Sequence, residues 1–413
     1  MNSPLRQHTL PHAPRYAAGA TLILSVFLFA VSGFKPALLG QSSAGCGLDV
    51  WNTSEALVTV WLRDVAYDAS RGFVAVGDAG VILTSVDGQH WLPHYQPSSI
   101  GFAQVRHEGG LYLALGQQFG AAVNTWSAAL WTSPDGITWT PRYDAPDTVV
   151  TSLAAGNGQL IALANITVPG VGTTARSLLS SDGLQWTLDE TISNRWMYDI
   201  AFGNGVFVAV GGNQIRISPD GVNWSSPPDI STLLTLQSVA FFQGQFIAVG
   251  GGGTILTSSD GQTWTSRTSG TTSFLAAVGP GNGVVAVAGD SGTVLTSPNG
   301  IDWTPRLNSR LDIRGIAYGA DRFVAVGRYG AIYQSGAISE CGGARLLIRR
   351  GTPTRIDLSG RIGAHLRVEY ADQIRGTWNL LSDIASLPQS PYQVVDSTTS
   401  PTGQRFYRAV QLP

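Results

Sequence analysis

Along most of the chain the apolar residues fall in short runs, each cut off by a turn rich in Gly, Asn or Asp. The clearest stretch is Leu236 to Arg267. There Leu236 to Phe242 predicts a strand, Gln243-Gly244 a turn, Gln245 to Val249 a second strand and Gly250 to Gly253 a second turn. Thr254 to Ser258 and Thr263 to Arg267 predict strands three and four, joined through Asp260-Gly261. Alternation and β-branched residues argue for strands, and Asp-Gly or Asn-Gly for tight hairpins. No stretch predicts a long helix.

The unit recurs. Six copies of one pattern follow each other: Ser85 to Trp91, Ser133 to Trp139, Ser180 to Trp186, Ser218 to Trp224, Ser258 to Trp264 and Ser297 to Trp303. The fourth residue is always Gly; the third is Asp87, Asp135, Asp182, Asp220, Asp260 and, in the last copy, Asn299. Successive Trp residues lie 48, 47, 38, 40 and 39 positions apart. A period near 40 with four short strands predicts propeller blades, small sheets that bury their faces on one another. A seventh unit begins at Asp312 and ends near Gln334 without a fourth strand, and Asp49 to Thr53 supplies an outer strand with a Trp at the other end of the chain. The expectation is an all-β chain: a seven-bladed β-propeller over residues 46–340, closed by its own N-terminal strand, then a small β-sandwich over 341–413.

The Ser-x-Asp-Gly-x-x-Trp pattern resembles the Asp-box of BNR-repeat propellers, a group that includes sialidases, other exo-acting glycosidases and propellers like the photosystem II assembly factor. The resemblance covers about residues 46 to 340, and a turn one residue shorter than usual is similar to that of the non-enzymatic members. It implies the fold and names no reaction. The six acidic or amide positions read as structural: Asp accepts from its own turn's N–H groups, Gly supplies positive φ, and Trp packs between blades. For a sialidase the resemblance implies three channel arginines, a Tyr/Glu pair and an acid Asp. The innermost strands put Arg63, Ala103, Thr151, Tyr198, Gln237, Leu275 and Arg314 in one column, which supplies two arginines, and the Arg-Ile-Pro signature is absent. An exo-glycosidase would further place two carboxylates about 5 to 10 Å apart in the channel beside an arginine cluster.

Candidate binding residues lie on the face where strand one starts and strands two and three connect. Blades 2 and 3 are longer there, by Gln117 to Ser127 and Asn165 to Thr174, and long loops on a rigid scaffold commonly carry binding groups. Trp126 and Trp196, the latter beside Arg195, offer stacking surfaces for a sugar or a peptide; the alternative is that they pack against neighbouring blades. Arg63 and Arg314 belong to blades that become neighbours when the ring closes, so a ligand carboxylate can bridge them. Equally, Arg63 can pair with Asp64 or Asp312. With Tyr198, these form the candidate site.

Charge and composition narrow the rest. Charged residues make up 13%, the formal net charge is −2 and Lys35 is the one lysine, which excludes disorder, a phosphate-tracking nucleic-acid surface and lysine chemistry. His90 and His94 lie across a turn instead of on a helix face, and no nucleophile elbow, zinc motif or phosphate loop occurs, so no metal or cofactor is expected. Arg6 and Arg15 followed by the apolar run Ala17 to Val31 read as an export signal within residues 1–45, or as an uncleaved membrane anchor. Ser43 to Cys46 also has some likeness to a lipobox. Export to an extracellular, periplasmic or cell-surface location would let Cys46 and Cys341, one at each end of the repeat, pair and staple the ring; unpaired thiols or a lipidated Cys46 are the alternatives. The last 73 residues switch the balance of charge from −9 to +4, and Leu366 to Tyr370, Trp378 and Gln404 to Val410 resemble a terminal module of secreted bacterial proteins. The functional expectation is a non-enzymatic scaffold binding a glycan, a peptide or a protein, with a sialidase-like hydrolase as the alternative and membrane contact only through the leader.

Overall fold

The computed structural model describes residues 47–54, 57–119, 126–168, 170, 172–227 and 235–338, followed by six strands between Arg345 and Gln411. The leader, Cys46 and Cys341 lie outside the described residues. The chain divides into two compact units, residues 41–341 and a unit holding the C-terminal strands. The first is a seven-bladed β-propeller.

Blade 1 consists of Leu62–Asp68, Gly72–Gly77, Val81–Ser85 and Leu92–Tyr95, paired antiparallel in that order. Blade 2 (Ile100–Glu108, Leu111–Phe119, Trp126–Ser133, Thr140–Tyr143) and blade 3 (Thr148–Gly156, Gln159–Val168, Gly172–Ser180, Thr187–Ser193) repeat the order with longer inner hairpins. The extra residues there were expected as loops. Much of that length instead extends strands two and three, with Phe119 opposite Trp126 and Val168 opposite Gly172. Among the described residues blade 4 (Asp199–Gly203, Val206–Gly211, Gln214–Ser218) has a single bridge, Ile217 to Ser225, where the fourth strand belongs. Pro227 follows two residues on, and proline cannot donate to a ladder. Blade 5 starts with Leu236–Phe242 and Gln245–Gly250, blade 6 with Leu275–Pro280 and Val285–Gly289; both have four strands.

Blade 7 combines Ile313–Gly319, Arg322–Gly327 and Ile332–Ser335 with Trp51–Thr53 as its outer strand. Trp51 stands opposite Ser335 and Thr53 opposite Tyr333. Gly336 N–H donates to the Gly47 and Val50 carbonyls at 2.8 and 3.0 Å, Arg306 pairs with Asp49, and Leu48 is buried in the last blade's core.

Strand two explains why the sheets stack. Its residues are buried on both faces, so it reads as a continuous apolar run instead of an alternating one. In blade 5 Phe246 and Ala248 enter the core shared with blade 4, while Ile247 and Val249 enter the one shared with blade 6. Blades 1 and 7 divide Phe-Val-Ala-Val in the same way. Each fully buried Phe, Ile or Val of this kind contributes about 1.5–3 kcal/mol, and one such core lies between every pair of neighbours.

The six Ser-x-Asp/Asn-Gly turns connect strands three and four. Asp220 Oδ1 accepts the N–H groups of Val222 and Asn223 at 2.9 and 2.8 Å, Gly221 has φ +76°, and Trp224 returns its indole N–H to the Gly221 carbonyl at 2.9 Å. Asp87, Asp135, Asp182 and Asp260 repeat the two backbone contacts, and Asn299 does so with its amide oxygen.

The C-terminal unit holds two three-stranded antiparallel sheets. Arg345–Arg349, Thr354–Ser359 and Tyr392–Asp396 form one; Asn379–Ile384, Leu366–Ala371 and Phe406–Gln411 form the other.

Candidate functional site

Strand one of nearly every blade carries a bulge close to its start. Pairing with strand two skips Arg63, Ala103, Gln237, Ala276 and Arg314, and Thr151-Ser152 in blade 3. In blade 4 Tyr198 occupies this place, just ahead of the paired strand. A bulge re-aims the extra side chain, and all seven of these residues line one cavity of about 710 Å³ over the axis of the ring. The column expected from the sequence is therefore right in six blades and one residue off in blade 6. Leu275 is fully buried, and Ala276 takes its place because Leu275, not Ala276, pairs with Gly289.

Two expected pairings need correction. Arg63 pairs neither with Asp64 nor with Asp312. It makes a fork with Asp78, Nε to Oδ1 at 2.9 Å and Nη2 to Oδ2 at 2.8 Å. Asp78 opens the turn after strand two, and its N–H is held by the Trp61 carbonyl. Arg314 donates to Asp290 Oδ1 at 2.8 Å and lies 3.6 Å from Asp312, so both arginines arrive already neutralised. The structure does bring them together: the guanidinium carbons of Arg63, Arg314 and Arg328 lie 4.9, 5.1 and 5.4 Å from the Trp61 ring centre. Trp196, Tyr198 and Phe274 are half-buried and also line the cavity, while Phe119 stands 51% exposed on the blade 2 hairpin. Trp126 does not line the cavity; its indole N–H is buried without a hydrogen-bond partner among the described residues.

One residue further along strand one, a second ring ties the blades together. Asp64 Oδ2 accepts the Val105 N–H of blade 2 at 3.1 Å, and Gln104 Oε1 accepts that of Leu153 in blade 3. Ser152 Oγ then takes the Ile200 N–H, Asp199 Oδ2 that of Val239 at 2.9 Å, and Ser238 Oγ that of Val278.

The next inward position holds Ala66, Ala154, Ala201, Ala240, Gly279 and Ala317, small because seven strands converge there. Blade 2 alone places a long side chain at this level, Arg106. It crosses the axis to Asp64 at 3.0 Å and Asp199 at 3.8 Å and separates the cavity from a second one of about 370 Å³ at the opposite mouth. Burial pushes the Asp64 carboxyl up to about 6, against the pull of Arg106 and of the Val105 N–H. Asp199 also accepts from Ser152, Gln104 and Ser238, which engages both its oxygens.

Sequence reasoning missed Arg106, Asp78, Asp290 and Trp61. Arg106 was within reach of it: reading three residues past each strand-one bulge exposes one arginine among five alanines and a glycine. The Asp pairings were not, since they join a strand to a turn of the same blade in one case and of the preceding blade in the other.

No family model matches the chain, and no curated protein matches its sequence. Solved structures share its fold. YCF48 bound to D1 peptide is 18% identical, with a TM-score of 0.53 over 70% of this chain and 95% of that one. YCF48 from Cyanidioschyzon merolae is 16% identical, with a TM-score of 0.51 over 69% and 98%. A catalytically inactive virginiamycin B lyase from Staphylococcus aureus with quinupristin is 11% identical, with a TM-score of 0.55 over 70% and 99%. The three include a peptide-bound propeller and a lyase, so the shared architecture does not choose between binding and catalysis.

Proposed function

We propose that the chain is an exported scaffold that binds a peptide, as a free segment or as part of a partner protein, in the cavity on the face bearing the blade 2 and 3 hairpins. One observation carries this reading. All seven strand-one positions turn into one cavity of about 710 Å³, whose lining also holds the aromatics Trp196, Tyr198 and Phe274. That volume is within the range of ligand sites. Its charged lining is balanced, Arg63, Arg106 and Arg314 against Asp64, Asp78 and Asp199, and each is already partnered. Such a wall selects a neutral, amide-rich ligand with side chains to stack rather than a highly charged one. The D1 peptide held by YCF48 supports a peptide over a glycan. Export rests on the leader.

The test is a combined peptide and glycan array probed with protein lacking residues 1–45. Peptide hits are expected, and Trp196→Ala and Tyr198→Ala each weaken them about tenfold or more, as central aromatic anchors do. Hits confined to glycans, or peptide binding indifferent to both substitutions, overturn the reading.

Hydrolysis has one observation in its favour: Asp64 and Asp199 both line the floor of the cavity, and Asp64 titrates near 6. Arg106 sits between them, however, where a glycosidase would need the sugar, and both oxygens of Asp199 are engaged. Turnover of a chromogenic sialoside or hexoside that disappears in Asp64→Asn would establish the enzymatic reading instead.

A further inference from the structure

The second cavity, at the opposite mouth of the ring, differs in chemistry. Three residues past each second-ring position stand Tyr67, His107, Ala155, Phe202, Phe241, Pro280 and Tyr318, one from each blade, and all seven line it. Four are carbocyclic aromatics, half-buried. The packing that fixes them is regular. A Cβ on Gly319 would fall 2.1 Å from the Tyr67 ring, on Gly156 2.3 Å from that of Phe202, and on Gly203 2.1 Å from that of Phe241. Each ring thus rests on a glycine of the preceding blade. The strand-two aromatics Phe73, Phe207, Phe246 and Phe323 support them from behind, with ring centres 4.7 to 5.5 Å apart.

The charged groups lining this cavity are Arg106, His107 and Glu108. Arg106 is committed to Asp64 and Asp199, and His107 faces Asp68 at 3.5 Å. The Glu108 carboxylate, by contrast, is half-buried and makes no hydrogen bond or ion pair among the described residues. Burial raises its pKa, with Arg106 and His107 pulling it back. A carboxylate without an ion-pair contact in a wall of π-systems, on a propeller whose residues 46–340 carry a balance of −9, attracts one kind of ligand. A neutral apolar group would bury Glu108 without a partner, and an anion would repel it.

We infer that the mouth opposite the peptide cavity is a separate binding site for an organic cation, an alkylammonium or quaternary ammonium group held by Tyr67, Phe202, Phe241 and Tyr318 with Glu108 as counter-ion. It is independent of the peptide reading, because Arg106 divides the two cavities.

Choline and its uncharged isostere 3,3-dimethylbutan-1-ol separate charge from shape. Calorimetric titration of the mature protein at neutral pH is expected to give saturable choline binding and at least about tenfold weaker binding of the alcohol. Glu108→Gln and Phe241→Leu are each expected to weaken choline severalfold, while Arg63→Ala on the other face leaves it unchanged. Thermal melting checks that the variants fold, and Glu108→Gln, isosteric and partly exposed, keeps the test informative if Phe241→Leu does not. Equal affinity for the two isosteres, no saturation by choline, or indifference to Glu108→Gln overturns the inference.

Discussion

Asp220 and Asp64 are both carboxylates of the ring, and pH acts on them in opposite directions. In its turn Asp220 accepts the Asn223 backbone and side-chain N–H groups and the Val222 N–H, which hold it below the ordinary value of 3.8; the Thr263 N–H does the same first for Asp260. Stability from such groups is present above pH 3.8 and lost as pH falls through their lower folded values. Burial raises Asp64 to about 6, so its contribution is complete below 3.8 and lost as pH rises through 6. Melting temperature is therefore expected to rise as pH falls from about 7 to about 5 and to drop again below about 3.5. In Asp64→Asn the rise disappears and the acid limb stays; a rise unchanged in that variant would place its source elsewhere. The role of the Asp turns was readable in the sequence because every contact is local, two or three residues along the chain. The Asp64 environment was not, because Arg106, Val105 and Asp199 come from other blades.

Strand pairing shows the same division between local and distant causes. Apolar runs and Asp-Gly turns located the strands, but the register between strands one and two depends on the bulge, and the bulge depends on the glycine that ends strand two. A Cβ on Gly250 would lie 2.1 Å from the Thr235 carbonyl oxygen, and one on Gly77 equally close to that of Trp61. Gly250→Ala is expected to cost about 2 kcal/mol through this backbone clash. Gly244→Ala, in open space at φ +81°, is expected to cost only the left-handed penalty of about 1 kcal/mol. Urea unfolding of both variants measures the difference, and equal losses would mean that close approach is not what the glycine provides. The same geometry displaced the blade 6 column by one residue, since without the register Leu275 and Ala276 are equally plausible. Extension of the blade 2 and 3 hairpins as strands was hidden for another reason: Gln117 to Ser127 starts and ends on polar residues around Gly120, and Asn165 to Thr174 is broken by Pro169, Gly170 and Gly172, so neither stretch announces pairing.

In the whole ring the seam is the vulnerable junction, closed by three residues of the N-terminal strand on Ile332–Ser335. Gly47 is hydrogen-bonded to Gly336, and Cys341 lies three residues beyond Ile338, within about 10 Å of extended chain. On that reach we propose that Cys46 and Cys341 form the disulfide that staples the seam, worth about 2–5 kcal/mol. Non-reducing peptide mapping of protein made in an oxidising compartment is expected to recover the linked peptides and reduction to lower the melting temperature; two free thiols would end the proposal. The sequence by itself determined the number of blades, most of their strands, the turn chemistry and the closing strand, because a repeated unit writes its local hydrogen bonds and its apolar runs into every copy. Tertiary structure alone decided what the axis contains. Only when seven strands converge do six small residues and one arginine become a partition, two cavities of unlike chemistry appear on either side of it, and Arg63 and Arg314 find the carboxylates that neutralise them.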